Sequence, residues 1–291
     1  MDNVKVAAIQ MQCSKNITEN IDKAEAMVRE AAANGANIIL LPELFENVYF
    51  CQERQYEYYE LAKTLEDNDA VKRFVKVAKE LEVVLPVSFY ERDKNVLYNS
   101  VAMIDADGTI MGVYRKTHIP DDHFYQEKFY FTPGNTGFKV WNTRYGNIGV
   151  GICWDQWFPE TARCMAVMGA EILLYPTAIG EEPILECDSM GHWQRAMQGH
   201  SAANLVPVVA ANRIGLEKIS PCNENNNQES SLRFYGSSFI TDNTGAILEQ
   251  AGRDKEEIIY SSFDFEQMSK DRLAWGIFRD RRPDCYGTIT E

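Results

Sequence analysis

The chain has 291 residues, with 29 Lys plus Arg against 43 Asp plus Glu, a formal net charge of −14. Its 45% hydrophobic and 25% charged content is that of a globular protein and excludes a disordered chain. An acidic balance without a dense Lys/Arg cluster argues against a nucleic-acid partner, and no apolar run of about 18 residues argues for a membrane span.

The start, Met1-Asp2-Asn3-Val4-Lys5, lacks the features of a signal peptide, so the cytoplasm is expected. Residues 4–11 read as a buried strand. The spacing of Ile21, Ala24, Val28 and Ala31 or Ala32 predicts a helix over 17–34, stopped by Gly35. A strand at 38–41 ends at Pro42-Glu43. A second helix is predicted at 69–82, then strands at 83–90 and 99–104. Asp107-Gly108 turns the chain into a strand at 110–114. Further on come a strand at 147–153, a helix at 159–168 opened by proline, a strand at 172–175, a helix at 192–204 and a strand at 206–211. Residues 220–231, rich in Asn, Glu and Ser, read as a loose surface loop.

Two segments recur. Gly35-Ala36-Asn37-Ile38-Ile39-Leu40-Leu41-Pro42 matches Gly169-Ala170-Glu171-Ile172-Leu173-Leu174-Tyr175-Pro176 at an offset of 134 (169 − 35). Tyr98, Ser100, Asp105, Gly108 and Ile110 match Tyr235, Ser237, Asp242, Gly245 and Ile247 at an offset of 137 (235 − 98). Both matches are also common helix–strand and hairpin grammar. Read as a repeat, they give two similar halves and two mixed sheets. Packing sheet on sheet with helices outside gives an α/β protein, a four-layer α-β-β-α sandwich, as one domain over 1–291.

Seven cysteines, an odd number with no C-x-x-C spacing, make a disulfide framework or zinc knuckle unexpected. No metal or cofactor is expected. Three strand ends carry candidate chemistry. Glu43, flanked by apolar residues, suits a general base, or caps a loop. Lys116 offers a fixed positive charge, or is an ordinary strand-end base. Cys153, after Gly149 and Gly151, sits at a strand-to-helix junction as a nucleophile or a buried thiol. Glycines there let other backbone approach. A Cys–His pair using His118, His123, His192 or His200 is the runner-up.

Glu43 in LPELF, Lys116 in YRKTHIP and Cys153 in GICWDQWFPE, in that order, resemble the Glu-Lys-Cys triad of the nitrilase or carbon–nitrogen hydrolase superfamily. LPELFENVYFCQ, KTHIPDDHFYQEKFYFTPGNTGF and WGIFRDRRPD are similar to its N-carbamoylputrescine amidase branch. The resemblance implies the α-β-β-α sandwich, a covalent Cys153 intermediate, and Glu127 as a second glutamate that positions Lys116 or substrate. It also implies release of putrescine, CO2 and ammonia, and a homo-oligomer built from dimers, with a segment at about 275–291 reaching a neighbouring subunit. Where carboxylate-binding relatives carry arginine, this chain reads Trp154-Asp155-Gln156-Trp157. Glu46, Asp121, Asp122, Glu181, Glu182, Glu186 and Asp188 crowd other pocket segments, so a small cationic ureido or amide substrate is expected. Glu182 is the first choice for its distal amine, then Asp122 and Asp188. Tyr49, Trp154 and Phe131 are expected along its methylene chain, or simply in the core. Alternative functions are an N-carbamoyl-β-alanine or aliphatic/omega-amidase, or an idle binding protein on the same fold.

Overall fold

Alternation along the first strand sets the layers. In β1 (Val4–Gln12), Val6 and Ala8 enter one apolar cluster while Ala7, Ile9 and Met11 enter another. The computed structural model describes residues 3–181 and 187–290. The first half continues with α1 (Ile17–Ala33), β2 (Ile38–Leu40), α2 (Asp69–Leu81), β3 (Leu85–Asp93), β4 (Val96–Ile104) and β5 (Ile110–Arg115). The second comprises β6 (Val140–Thr143), β7 (Gly146–Val150), α3 (Pro159–Val167), β8 (Ile172–Pro176), α4 (Met190–Asn204), β9 (Val208–Ala211), β10 (Arg213–Ile219), β11 (Ser230–Tyr235), β12 (Phe239–Thr241) and β13 (Ile247–Gln250). β14 (Glu257–Phe263) then returns to the first sheet, and α5 (Phe265–Trp275) follows.

One sheet runs β14-β1-β2 and continues through the parallel bridge Ile38↔Val84 to β3-β4-β5. The other runs β6-β7-β8-β9-β12-β13. Step by step the two have the same parallel and antiparallel pattern, so the halves are pseudo-symmetric. The matched turns agree in detail. Gly108 N–H bonds Asp105 O at φ +84°, and Gly245 N–H bonds Asp242 O at φ +91°. Both positions lie in the left-handed region that favours glycine.

Three apolar clusters define four layers. Val6, Leu40, Val150, Ile152 and Leu174 pack between the two sheets. Ile21, Val28, Phe74 and Val77 of α1 and α2 cover the outside of the first sheet. Met165 of α3 and Trp193 and Met197 of α4 cover the second. Caps fix the helix starts: the Asn16 side chain accepts from Thr18 N–H and Glu19 N–H, and that of Asn68 from Val71 N–H.

Two expectations are corrected. The strand expected at 147–153 stops at Val150, and Cys153 starts a 3-10 turn, Cys153–Trp157. Residues 220–231 are not loose. Residues 220–229 join β10 to β11 and fold around Asn225, which is fully buried, and residues 230–231 already belong to β11. Its side chain accepts from Cys222 N–H (3.0 Å) and donates to Glu53 Oε2 (2.6 Å) and Ser220 O (3.0 Å). Asn226 and Asn227 take φ of +58° and +57°, a conformation asparagine tolerates.

Asn225→Ala strips these partners at once and should cost about 2 kcal/mol. Urea unfolding and limited proteolysis should show lower stability and new cleavage at 220–229. An unchanged digestion pattern would show that the loop does not depend on Asn225.

Candidate active site

Glu43 follows β2 on a sharply turned loop. Its N–H donates to Thr177 O (3.3 Å), the next residue, Leu44, has φ +47°, and Leu44 N–H donates to Ser88 Oγ (3.0 Å). Lys116 follows β5. Its N–H donates to Asn99 O and its carbonyl accepts from Gly134 N–H, both at 2.8 Å. Gly134 allows that approach, because a Cβ there would stand 2.1 Å from Arg115 O.

The two side chains meet where water does not reach. Lys116 Nζ donates to Glu43 Oε1 (2.8 Å) and to Glu127 Oε2 (2.6 Å), and all three side chains are 0% exposed. Asn99 Nδ2 donates to Glu43 Oε1 (2.7 Å) and Tyr49 OH to Glu127 Oε1 (2.6 Å). Glu43 Oε2 is buried with no partner among the described residues.

Cys153 is strained and buried, with φ +40° and 6% exposure, and its thiol points toward Ala178 O (3.7 Å). A non-glycine residue in that region marks a constraint imposed by its surroundings. Asp155 supplies it. Its buried carboxylate accepts from Ile152 N–H (2.9 Å), His118 N–H (3.0 Å) and Tyr114 OH (2.7 Å), and pairs with His118 Nδ1 (2.7 Å). Asp155 lies two residues after Cys153, and His118 two after Lys116, so one carboxylate ties both loops together. Gly149 and Gly151 admit side chains rather than backbone: a Cβ on Gly151 would meet the Tyr175 ring at 2.7 Å and one on Gly149 Leu173 at 2.9 Å.

Protonation follows from this packing. Burial, then the Glu43 carboxylate, push the Cys153 thiol well above its ordinary range, with Lys116 opposing. Burial alone would lower the Lys116 pKa, but Glu127 and Glu43 outweigh it and hold the ammonium well above its usual range. Burial pushes Glu127 up to about 7. The resting pair is therefore a thiol and an ammonium, and the thiol needs a base.

The expected site residues fall in different places. Glu43, Lys116 and Glu127 come together as one cluster. Tyr49 is buried with its hydroxyl committed to Glu127. Phe131 packs in an aromatic cluster against Tyr90 (5.1 Å) and Phe50 (6.1 Å). The Trp154 side chain is 38% exposed, edge-on to Trp157. Asp188 is a surface residue paired with Arg253 (2.7 and 3.0 Å). Asp122 is exposed and lines a cavity of about 380 Å³ with Arg54, Asp121, Phe124 and Glu229. Glu182 and Glu186 lie outside the described residues. Glu46 is no pocket residue: it is buried at the start of α2, accepting from Asn68 Nδ2 (3.1 Å), and burial pushes it up to about 7. Among the described residues no histidine hydrogen-bonds Cys153, which removes support from a Cys–His pair. His200 is buried against Gln156 O and His118 is held by Asp155. The sequence gives no role to Asn99, an ordinary residue of a predicted strand, or to Asp155, although Asp155 sits inside the motif around Cys153.

A family model described as carbon–nitrogen hydrolase matches residues 5–272. The chain belongs to the carbon–nitrogen hydrolase family. It is similar to a protein named citrullinase from Francisella tularensis subsp. tularensis, 54% identical over 290 residues and covering 99% of each chain. It is similar to the N-carbamoylputrescine amidase of Oryza sativa subsp. japonica, 55% identical over 287 residues, 98% of this chain and 94% of that one. The crystal structure of a carbon–nitrogen hydrolase from Helicobacter pylori G27 superposes with a TM-score of 0.90 at 35% identity, covering 100% of this chain and 99% of that one.

Asp155→Ala should leave Ile152 N–H, His118 N–H and Tyr114 OH unpaired and cost roughly 3 kcal/mol. The melting temperature should fall, and iodoacetamide should alkylate Cys153 at an altered rate. A wild-type labelling rate in the folded variant would show that Asp155 does not shape the Cys153 turn.

Proposed function

We propose that this carbon–nitrogen hydrolase cleaves N-carbamoylputrescine to putrescine, CO2 and ammonia through a carbamoyl thioester on Cys153. One observation carries the chemistry: a buried lysine occupies one oxygen of Glu43 and leaves the other, Oε2, without a partner among the described residues, within electrostatic reach of a protonated thiol. In this reading Glu43 takes the proton from Cys153 as sulfur attacks the ureido carbon. Lys116 has three N–H donors and spends two on Glu43 and Glu127, so the third is available to the developing oxyanion. Trp154 N–H, in the first turn after Cys153, is the second donor. One such donor is worth roughly 3 kcal/mol. Glu43 then returns the proton to the leaving amine and activates water against the thioester. The carbamate released breaks down to CO2 and ammonia.

The distal amine argues for the substrate. The turn after Cys153 holds no arginine, and relatives named N-carbamoylputrescine amidase are 53–55% identical. Of the acidic residues expected to receive the amine, Asp188 is already neutralised by Arg253, so Glu182 and Asp122 remain the candidates. The relative named citrullinase favours a second reading, because citrulline carries the same terminal ureido group with an α-amino acid at its far end.

A homo-oligomer of dimers, working as one domain per chain and located in the cytoplasm, is part of the same proposal. Leu273 and Trp275 are 75% and 73% exposed, and Ile289 is 67% exposed. Such apolar side chains at the C-terminal end suit a second subunit. Among the described residues no helix is long and apolar enough to cross a membrane.

Purified protein given N-carbamoylputrescine, citrulline, N-carbamoyl-β-alanine and a simple aliphatic amide should turn over the first with the highest kcat/KM. A higher value for either carboxylate substrate would overturn the charge argument. Cys153→Ala should lose all turnover and keep its fold.

Glu127 is a carboxylate above about pH 7 and takes up a proton below it, removing one of two countercharges from Lys116. A pH series should show kcat/KM falling below about pH 7 and level above it. Glu127→Gln should lower the plateau at least tenfold and abolish that limb. Persistence of the limb in the variant would assign it to another group.

A further inference from the structure

A second buried ionic network lies behind the first. Arg213 opens β10 where this strand runs beside the end of β1, and it is fully buried. Its guanidinium donates to Glu43 O (2.8 Å), Leu44 O (3.1 Å), Asn47 O (3.1 Å) and Glu217 Oε1 (3.0 Å). Glu217 Oε2 accepts from Tyr49 N–H (2.6 Å), and the hydroxyl of the same tyrosine bonds Glu127. The chain from Glu43 to Tyr49 thus wraps one guanidinium.

Such a loop needs an internal donor. Leu44 has φ +47°, and turning that corner aims the carbonyls of Glu43, Leu44 and Asn47 inward, away from water. Buried carbonyls require partners. Arginine presents five N–H donors in a rigid fork, whereas lysine presents three on a flexible stem. Glu217 balances the charge and carries the link on to Tyr49.

We propose that Arg213 and Glu217 are positioning residues that hold the Glu43 loop and Tyr49 in one frame, so that the Glu43 carboxylate is aimed at Cys153 and Glu127 stays on Lys116. The proposal rests on the reading of Glu43 as the base. Neither residue touches the reacting atoms.

The test uses the full chain and two readouts, steady-state kinetics and the pH dependence of Cys153 alkylation by iodoacetamide. The ionisable groups within electrostatic reach of that thiol are Glu43 after β2, Lys116 after β5, Glu127 in its 3-10 turn and Tyr49 after the loop. Glu217→Gln keeps the size of the side chain, removes its charge and leaves Tyr49 N–H with a poorer acceptor. It should lower kcat ten- to a hundredfold with KM changed less than threefold. Alkylation near pH 7 should slow in step and recover toward the wild-type rate at high pH, where the thiol ionises without a base. A merely structural defect would lower the fraction of folded protein and leave the pH profile of the folded remainder unchanged. Arg213→Lys, which keeps the charge and gives up the fork, reads the same way if Glu217→Gln does not fold. Wild-type kcat and alkylation in either folded variant would overturn the proposal. Glu43→Gln separates the two levels. If it retains turnover, the assignment of the base fails. If it is inactive while Glu217→Gln is wild-type, only the positioning role fails.

Discussion

The structure turns on one ammonium group held between two carboxylates in the dry interior. Removing an ion from water costs several kcal/mol even after relaxation, and the cost is recovered only when every charge is well paired. Lys116 meets that condition with contacts of 2.8 and 2.6 Å to Glu43 and Glu127, but two ionised carboxylates and one ammonium leave one negative charge over. Burial, and after it the Glu43 carboxylate, keeps the neighbouring thiol protonated at rest. A catalytic cysteine paired with a cation alone would rest as a thiolate.

Holding such a cluster dictates much of its surroundings. Asn99 serves twice, its backbone carbonyl accepting from Lys116 N–H and its side-chain Nδ2 donating to Glu43. Asp155 spends one carboxylate on two loops. Tyr49 gives its hydroxyl to Glu127 and its backbone N–H to Glu217. Each of these side chains is buried, where an unmet hydrogen bond costs more than a met one gains. The site tolerates little loosening for that reason.

Features carried by local pattern were legible in the sequence. The 3.6-residue spacing of Ile21, Ala24, Val28 and Ala31 marked α1, and Asp-x-x-Gly marked two equivalent hairpin turns. Glu43, Lys116 and Cys153 stood out because each sits in a compact motif at a strand end. Other features have no local signature. Arg213 meets Glu43 across 170 residues and Glu217 meets Tyr49 across 168. α5 buries only Phe265 and Met268, too narrow a stripe for periodicity to reveal. The loop at 220–231 has a composition that suggests a loose surface loop, and it is tied down by distant partners, among them Glu53, 172 residues from Asn225, and Arg54, whose N–H donates to Gln228.

The pseudo-symmetric halves are unequal in a telling way. The offset of 134 carries Glu43 onto Thr177 (177 − 134), and these two positions touch directly through Glu43 N–H and Thr177 O. One half carries Glu43 on the loop after its second strand, and its counterpart has a threonine there. The other half carries Cys153 after β7, the strand equivalent to β1. Neither half is a spare for the other. Glu43 and Cys153 come from different halves, and Cys153 packs with Leu40, Ile152 and Leu174 between the sheets, so the thickness of that packing bears on how the two side chains face each other.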